Sequence, residues 1–512
     1  MLGARCAPNR LSGKRRRLAP FRQQLGGKAL CLGNALDFDG NGVYRLLKLV
    51  ESRLHLEYVR DVAPRGLRRK SAYEPDGDSG QRCDQHNDDD GDYRKVSDFR
   101  SHDGFGKGFV GIPLKVPTQR TRAGFHDPIQ ITEVMTNPRS YDTIVVGLGA
   151  MGSATLFHLA RRGLRVLGLD QFSQGHQLGS SHGDSRIIRE TYFEHPLYVP
   201  LVRRAHDLWR ELEQMSGTPL MKITGGLMIG PSDGMVVSGT LRSAREYDLP
   251  HEVLSPTQVH ERFPAFQLAS NLVAVLDPRA GYLDPEACNR THLDAARAAG
   301  AEAQFDERVL EWNPDGEGVR VSTGTATYTA NRLVLAAGAW SNALVRDLRL
   351  PLAVERQTVF WLEPSGPRDS YDAARFPIYA YEYKTGHICY GFPRLPRGVK
   401  ASVMHSGKTA SNPEKVERAV SEDEVNPLRA ALRPVLPDLA EASVRESGVC
   451  LFTNTPDHDF IIDFHPLHRQ VLISSPCSGH GFKFASAIGE LQAELVTTGK
   501  SRFDLTPFRI SR

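Results

Sequence analysis

Residues 141–170 read YDTIVVGLGAMGSATLFHLARRGLRVLGLD. A short apolar strand over 141–146 runs into a glycine-rich turn. A helix through Arg162 is closed by Gly163, and a second strand covers 165–170. This βαβ opening puts Gly147, Gly149 and Gly152 between strand and helix. Glycines there permit the tight turn and let a pyrophosphate approach the unpaired N–H groups of the helix. Asp170 closes the second strand 23 residues after Gly147 and supplies the carboxylate that grips a ribose hydroxyl. Strand, turn, helix and acid together specify a dinucleotide site without separating NAD from FAD. The uncharged run 143–160 has about the length of a membrane span, but Gly147, Gly149, Gly152, Ser153 and His158 within it fit strand, turn and helix instead.

The α/β texture continues downstream. Asp284 and Pro285 give N-cap and first-turn signals for a helix ending at Gly300. Residues 332–337 form an apolar strand leading into Gly338-Ala339-Trp340-Ser341. Between 354 and 403, alternating aromatic and β-branched stretches (357–361, 378–383 and 387–392) suit antiparallel strands of a second layer. A last strand, 470–475, passes through Ser478-Gly479-His480-Gly481 to a helix with Phe484, Ile488, Leu491 and Leu495 on one face and Gly499 beyond its end. The chain has no internal repeat.

Composition bounds the rest. The 512 residues are 40% hydrophobic and 24% charged, with 46 Gly and 32 Pro, which excludes a collagen, a coiled coil and a wholly disordered chain. The net charge of +4 is unevenly placed: residues 1–134 hold 24 Lys and Arg against 17 Asp and Glu, a surplus of seven, and the remainder carries −3. The near-neutral body has no field to collect polyanions, so no nucleic-acid partner and no membrane are expected. Seven scattered cysteines without a CxxC pair indicate neither a disulfide framework nor a zinc site, and they fit the cytoplasm; no metal is expected. Residues 1–134, with their mixed charge runs, read as a disordered extension with no recognised domain, and Met135 is a natural start. A transit peptide or a nucleic-acid arm are the other readings of that segment.

Three further stretches carry a resemblance: Ser180-Ser181-His182-Gly183-Asp184-Ser185-Arg186-Ile187-Ile188-Arg189; Asn454-Thr455-Pro456-Asp457 with Phe460-Ile461-Ile462-Asp463; and Ser478-Gly479-His480-Gly481-Phe482-Lys483. From about Tyr141 to the C-terminus the chain resembles the monomeric sarcosine oxidase family of flavoprotein amine oxidases, which includes N-methyltryptophan and pipecolate oxidases. The resemblance implies FAD, and a Rossmann-like FAD-binding domain assembled from 135–224, 278–348 and 446–512. The substrate domain, 225–277 and 349–445, would lay an antiparallel sheet over the flavin. It also implies a monomer acting on a small amino acid and O2.

Residue by residue, the resemblance assigns FAD contacts to Gly147, Gly149, Gly152, Asp170, Ser181, Val309, Gly338, Gly479 and Gly481. Cys450 aligns with the cysteine that forms a thioether to the flavin, although a lone cysteine by itself more often packs as a small hydrophobe. Phe452 stands where the family often has Tyr, removing any hydrogen bond from that position. Arg186 and Lys400 resemble the cations flanking the flavin, where fixed positive charge stabilises superoxide as an electron passes to O2. Arg189 and Lys483 resemble the clamp on the substrate carboxylate. His182 and Tyr390 are catalytic candidates, and His405 is a substrate-binding one, with Met404 as the other position that spacing from Lys400 allows. The expected reaction converts sarcosine, water and O2 to glycine, formaldehyde and hydrogen peroxide. The alternatives are an oxidase of a bulkier N-methyl or cyclic amino acid, or a related flavin amine dehydrogenase.

Overall fold

The computed structural model describes residues 139–512, so the expectations for the N-terminal extension and Met135 lie outside the described residues. The opening strand β1 (Arg139–Val146) is flanked on both sides by parallel neighbours, β2 (Val166–Leu169) and a strand over Thr327–Leu335. A strand in that position is covered on both faces, which is why Ile144, Val145 and Val146 run without alternation. The first helix, α1 (Ala150–Ala160), is buried along its whole length.

Between these and the end of the chain come β3 (Arg186–Ile188), α2 (Val199–Ser216), β4 (Gly226–Gly230), α3 (Met235–Glu246), β5 (Val273–Asp277), β6 (Gly281–Leu283) and α4 (Pro285–Ala298). Then follow β7 (Glu302–Gln304), β8 (Val309–Asp315), β9 (Gly318–Thr323), β10 (Thr327–Leu335), β11 (Ala353–Glu363), β12 (Ile378–Lys384), β13 (His387–Leu395) and β14 (Gly398–Val403). The chain closes with β15 (Ser443–Asn454), β16 (Ile461–Phe464), β17 (Val471–Ser475) and α5 (Ala485–Thr498).

The first sheet has the order β8-β9-β10-β1-β2-β7, with β17 parallel to β10 and β16 beside it. The C-terminal strand therefore joins the sheet beside β10, the neighbour of β1, and α5 reaches α1, where Thr155 and Gln492 share a 2.8 Å hydrogen bond. The helix over Pro285–Ala298 begins as its sequence indicates: the Asp284 side chain accepts from the N–H of Ala287 at 2.8 Å.

The second sheet runs β11-β14-β13-β12-β4-β5 between edge strands Lys408–Ala410 and Glu252–Leu254, and β15 also pairs with β11. Its pairs are antiparallel except β4 with β12, because these two strands are joined through a long stretch of other elements and not by a hairpin. Its core contains Leu227, Phe266, Phe376, Tyr379 and Leu432. A small third sheet holds β3 against β6 and Met221–Ile223. It fixes the segment on which Arg186 and Arg189 stand.

Candidate active site

The two larger sheets border one cavity of about 620 Å³, which is the site. At one end the turn after β1 forms a cradle. Gly147 has φ +89°, and a Cβ there would lie 2.5 Å from the carbonyl oxygen of Ala336. At Gly152 it would lie 1.7 Å from the carbonyl oxygen of Gly147. Both positions accept only glycine, and the backbone is left bare where a phosphate would approach. Asp170 takes the N–H of Leu148 at 2.7 Å on one oxygen and that of Phe172 at 3.0 Å on the other, and it retains lone pairs facing the cavity. Ser181 Oγ accepts from the N–H of Ala150 at the start of α1.

A flavin dinucleotide fits this lining. Trp340, Ser185 and Asn289 belong to the cavity lining, and their Nε1, Oγ and Oδ1 atoms are buried with no hydrogen-bond partner in the protein. Buried polar groups of that kind are satisfied in native proteins, so these await a ligand that both donates and accepts. Gly149, Val309, Gly338, Gly479 and Gly481 line the same cavity.

Cys450, buried on β15, is also part of the lining. Arg186 Nη2 lies 3.7 Å from its sulfur and His182 Nε2 lies 3.8 Å from it. Burial alone would push this thiol up; Arg186, then His182 and Lys400, outweigh that and hold it down to about 6. Cys389 is buried and Cys477 half-buried, both without such cations, and lost hydration pushes them up to about 12 and about 11, while burial pushes Cys288 well above its ordinary value. Among the described cysteines Cys450 is thus the thiolate.

Arg186 is itself oriented by the carbonyls of Ser185 and Ser180, at 2.7 and 2.6 Å. Lys400, buried on β14, donates to Ser185 O at 3.0 Å and to Gly183 O, and burial followed by the neighbouring Arg186 brings it down to about 7. His182 does not border the cavity; it reaches the site through Cys450. Tyr390 does border it, and burial lifts its phenol to about 12, so it stays neutral.

Arg189 and Lys483 also meet in the lining. Arg189 Nη2 lies 2.5 Å from Glu194 Oε2, and its guanidinium stands 4.1 and 4.0 Å from the ring centres of Tyr192 and Phe193. Lys483 Nζ donates to His480 O at 2.6 Å and to Tyr192 Oη at 3.4 Å; burial, with Arg189 next, brings it down to about 7. His480 Nε2 lies 3.0 Å from the carbonyl of His458, which can only accept, so Nδ1 accepts from Tyr192 Oη at 2.6 Å.

The two positions open after Lys400 fall differently around the cavity, although both side chains lie beside Gly479. His405 is not in the lining; Met404 is. His405 follows the end of β14 with φ +53°, which carries its side chain to Glu355 at 3.2 Å and against the ring of His458. Spacing from Lys400 left both positions open, and Met404 is the one that borders the cavity. Glu194 and Glu286 were missed. Glu286 Oε1 takes the N–H of Gly183 at 2.5 Å and so holds the turn whose carbonyl anchors Lys400. Each acts on a residue of the Ser180–Arg189 motif from outside it, Glu194 from five residues downstream and Glu286 from the helix over Pro285–Ala298, so neither carries a sequence signal of its own.

A chain with this cradle, this cavity and these cations is a flavin-dependent oxidoreductase in its architecture. The profile of the FAD dependent oxidoreductase (DAO) family matches residues 142–495. The chain is 41% identical over 364 residues to a monomeric sarcosine oxidase of Streptomyces avermitilis, covering 70% of this chain and 94% of that protein. It is 36% identical over 376 residues to an N-methyl-L-tryptophan oxidase of Salmonella agona, covering 73% and 99%. Among solved structures, NikD, an amino acid oxidase of nikkomycin biosynthesis, superposes with a TM-score of 0.63 at 25% identity over 72% of this chain and 97% of that one. The chain therefore belongs to the family of FAD-dependent oxidoreductases that includes monomeric sarcosine oxidase and N-methyl-L-tryptophan oxidase. Among the described residues no helix is long and apolar enough to cross a membrane, and no cluster of side chains could hold a metal ion.

Proposed function

We propose that the enzyme oxidises secondary, N-methyl amino acids, sarcosine first among them: sarcosine, water and O2 give glycine, formaldehyde and hydrogen peroxide. The observation that carries this reading is that Arg189 and Lys483 line the same cavity as the dinucleotide cradle and the Arg186–Cys450 pair. Two buried cations bind a carboxylate, Arg189 through both oxygens and Lys483 as a point charge. The substrate anion takes over the guanidinium edge that Glu194 holds. The flavin, when bound, supplies the two-electron acceptor and passes the electrons on to O2. The residues around it orient the amine, keep Tyr390 as a neutral donor and exclude water until the imine is released and hydrolysed. The Cys450 thiolate is the group that would attach the flavin covalently, and Arg186 and Lys400 hold positive charge beside it for reoxidation.

The walls of the cavity include Ile187, Phe193, Val359, Ala380, Ile388, Phe392 and Met404. This apolar lining favours, as a second reading, an N-methyl or cyclic amino acid with a bulkier side chain. The name of the Streptomyces avermitilis relative supports a monomer, and the FAD-binding and substrate domains are taken as the segments named from the sequence. The test is peroxide formation in air from sarcosine, N-methyltryptophan and pipecolate. Turnover with any of them supports an amine oxidase and ranks the two readings. Flavin reduction without peroxide points to a dehydrogenase, and no reduction by any of them contradicts the proposal.

A further inference from the structure

The clamp has to present its guanidinium at a fixed angle, and the residues that set this angle follow it in the chain. Arg189 Nη1 donates to the carbonyl of Thr191 at 3.1 Å, and the guanidinium lies against the rings of Tyr192 and Phe193. Arg189 is therefore only as well placed as the backbone over residues 190–193. One side chain gathers that backbone. Asp277 Oδ2 accepts from the N–H of Glu190 at 3.0 Å, from the N–H of Thr191 at 3.0 Å and from the Thr191 hydroxyl at 2.9 Å. Its other oxygen takes the N–H of Arg279 at 2.9 Å. Asp277 is 1% exposed and ends β5, where its backbone pairs with Gly226 in the second sheet. It does not border the cavity.

We propose that Asp277 is a positioning residue for the substrate carboxylate: it holds Thr191, and Thr191 holds Arg189. This rests on the reading of Arg189 as the carboxylate clamp. A charged acceptor taking three donors from two adjacent residues fixes them more tightly than neutral hydrogen bonds do. A loop freed of it leaves the guanidinium present but misaimed. Asparagine has one acceptor oxygen where aspartate has two, so Asp277→Asn cannot serve both the Thr191 side and Arg279.

The test uses flavin-loaded enzyme and two ligands of one shape, propionate and propionamide, with binding read from the perturbation of the flavin spectrum. D277N is expected to weaken propionate about tenfold, the scale of a lost hydrogen bond to a charged group, and to leave propionamide within about twofold. T191V weakens propionate in the same direction, and T191S, which keeps the hydroxyl, restores it. If D277N does not accumulate as folded protein, T191V against T191S carries the same contrast. In an R189M background D277N has no further effect, since what it positions is gone. Equal weakening of both ligands, or a D277N effect of the same size with and without Arg189, overturns the proposal. If R189M binds propionate as the wild type does, the clamp reading itself fails, whatever D277N does.

Discussion

Arg186 Nη2 and the sulfur of Cys450 stand 3.7 Å apart, on strands 264 residues from one another. At about 4 Å a pair of opposite charges near a protein surface is worth roughly 4 kcal/mol. That is enough to turn the burial of Cys450 from a penalty on the thiolate into a site that holds one. Alkylation by iodoacetamide of flavin-free enzyme should follow a titration centred at about 6. R186Q moves that midpoint upward and slows the reaction at neutral pH. An unchanged profile in R186Q would remove the arginine from the account of this thiol.

Lys483 gives a second pH dependence. Its folded-state pKa is lowered to about 7, so its charge is complete below that pH and lost as pH rises through it. A carboxylate prefers the charged form, so propionate affinity is highest at low pH. Above about 7 it falls, approaching tenfold per unit until the bound-state pKa is reached. K483M binds propionate weakly at all pH values and lacks the fall. A flat wild-type profile would contradict the assignment.

If Arg189 is the carboxylate clamp proposed above, Glu194, paired with it, competes with the substrate. E194Q removes the competing charge while keeping the size of the side chain. It is expected to tighten propionate by about three- to tenfold, within the 1.4 kcal/mol that a tenfold change represents, as measured by spectral titration. Weaker binding in E194Q would mean that Glu194 orders the loop more than it occupies the arginine.

The cradle is tested by two glycines. At Gly152 an added methyl meets a carbonyl oxygen at 1.7 Å, whereas at Gly163, with φ +82°, it meets nothing within 4 Å. G152A should yield protein without flavin, read from the ratio of visible to ultraviolet absorbance. G163A should retain flavin and lose about 1 kcal/mol of stability from its backbone conformation, read by thermal denaturation.

The opening βαβ unit was legible because its signals are local: apolar strands, a glycine turn and an acid at fixed spacing between Tyr141 and Asp170. Asp284 and Gly499 marked helix ends for the same reason. The cations Arg186, Arg189 and Lys483 were found through short motifs and converge on one cavity. Glu286 and Asp277 were not legible, since they act on distant backbone amides that any sequence supplies, and Glu194 lies just beyond the motif that contains its partner Arg189. His405 and Met404 show the limit of spacing alone: His405 has a positive φ just past the end of β14, and of these two neighbours Met404 is the one in the cavity lining.

In the proposed function Cys450 holds the flavin while the cavity beside it oxidises an N-methyl amino acid. The most direct measurement is the absorbance of purified wild-type and C450S enzyme before and after acid precipitation. Wild type should carry its yellow colour into the precipitate, and C450S should release it to the supernatant. Flavin released from the wild type, or retained in the C450S precipitate, would contradict the claim.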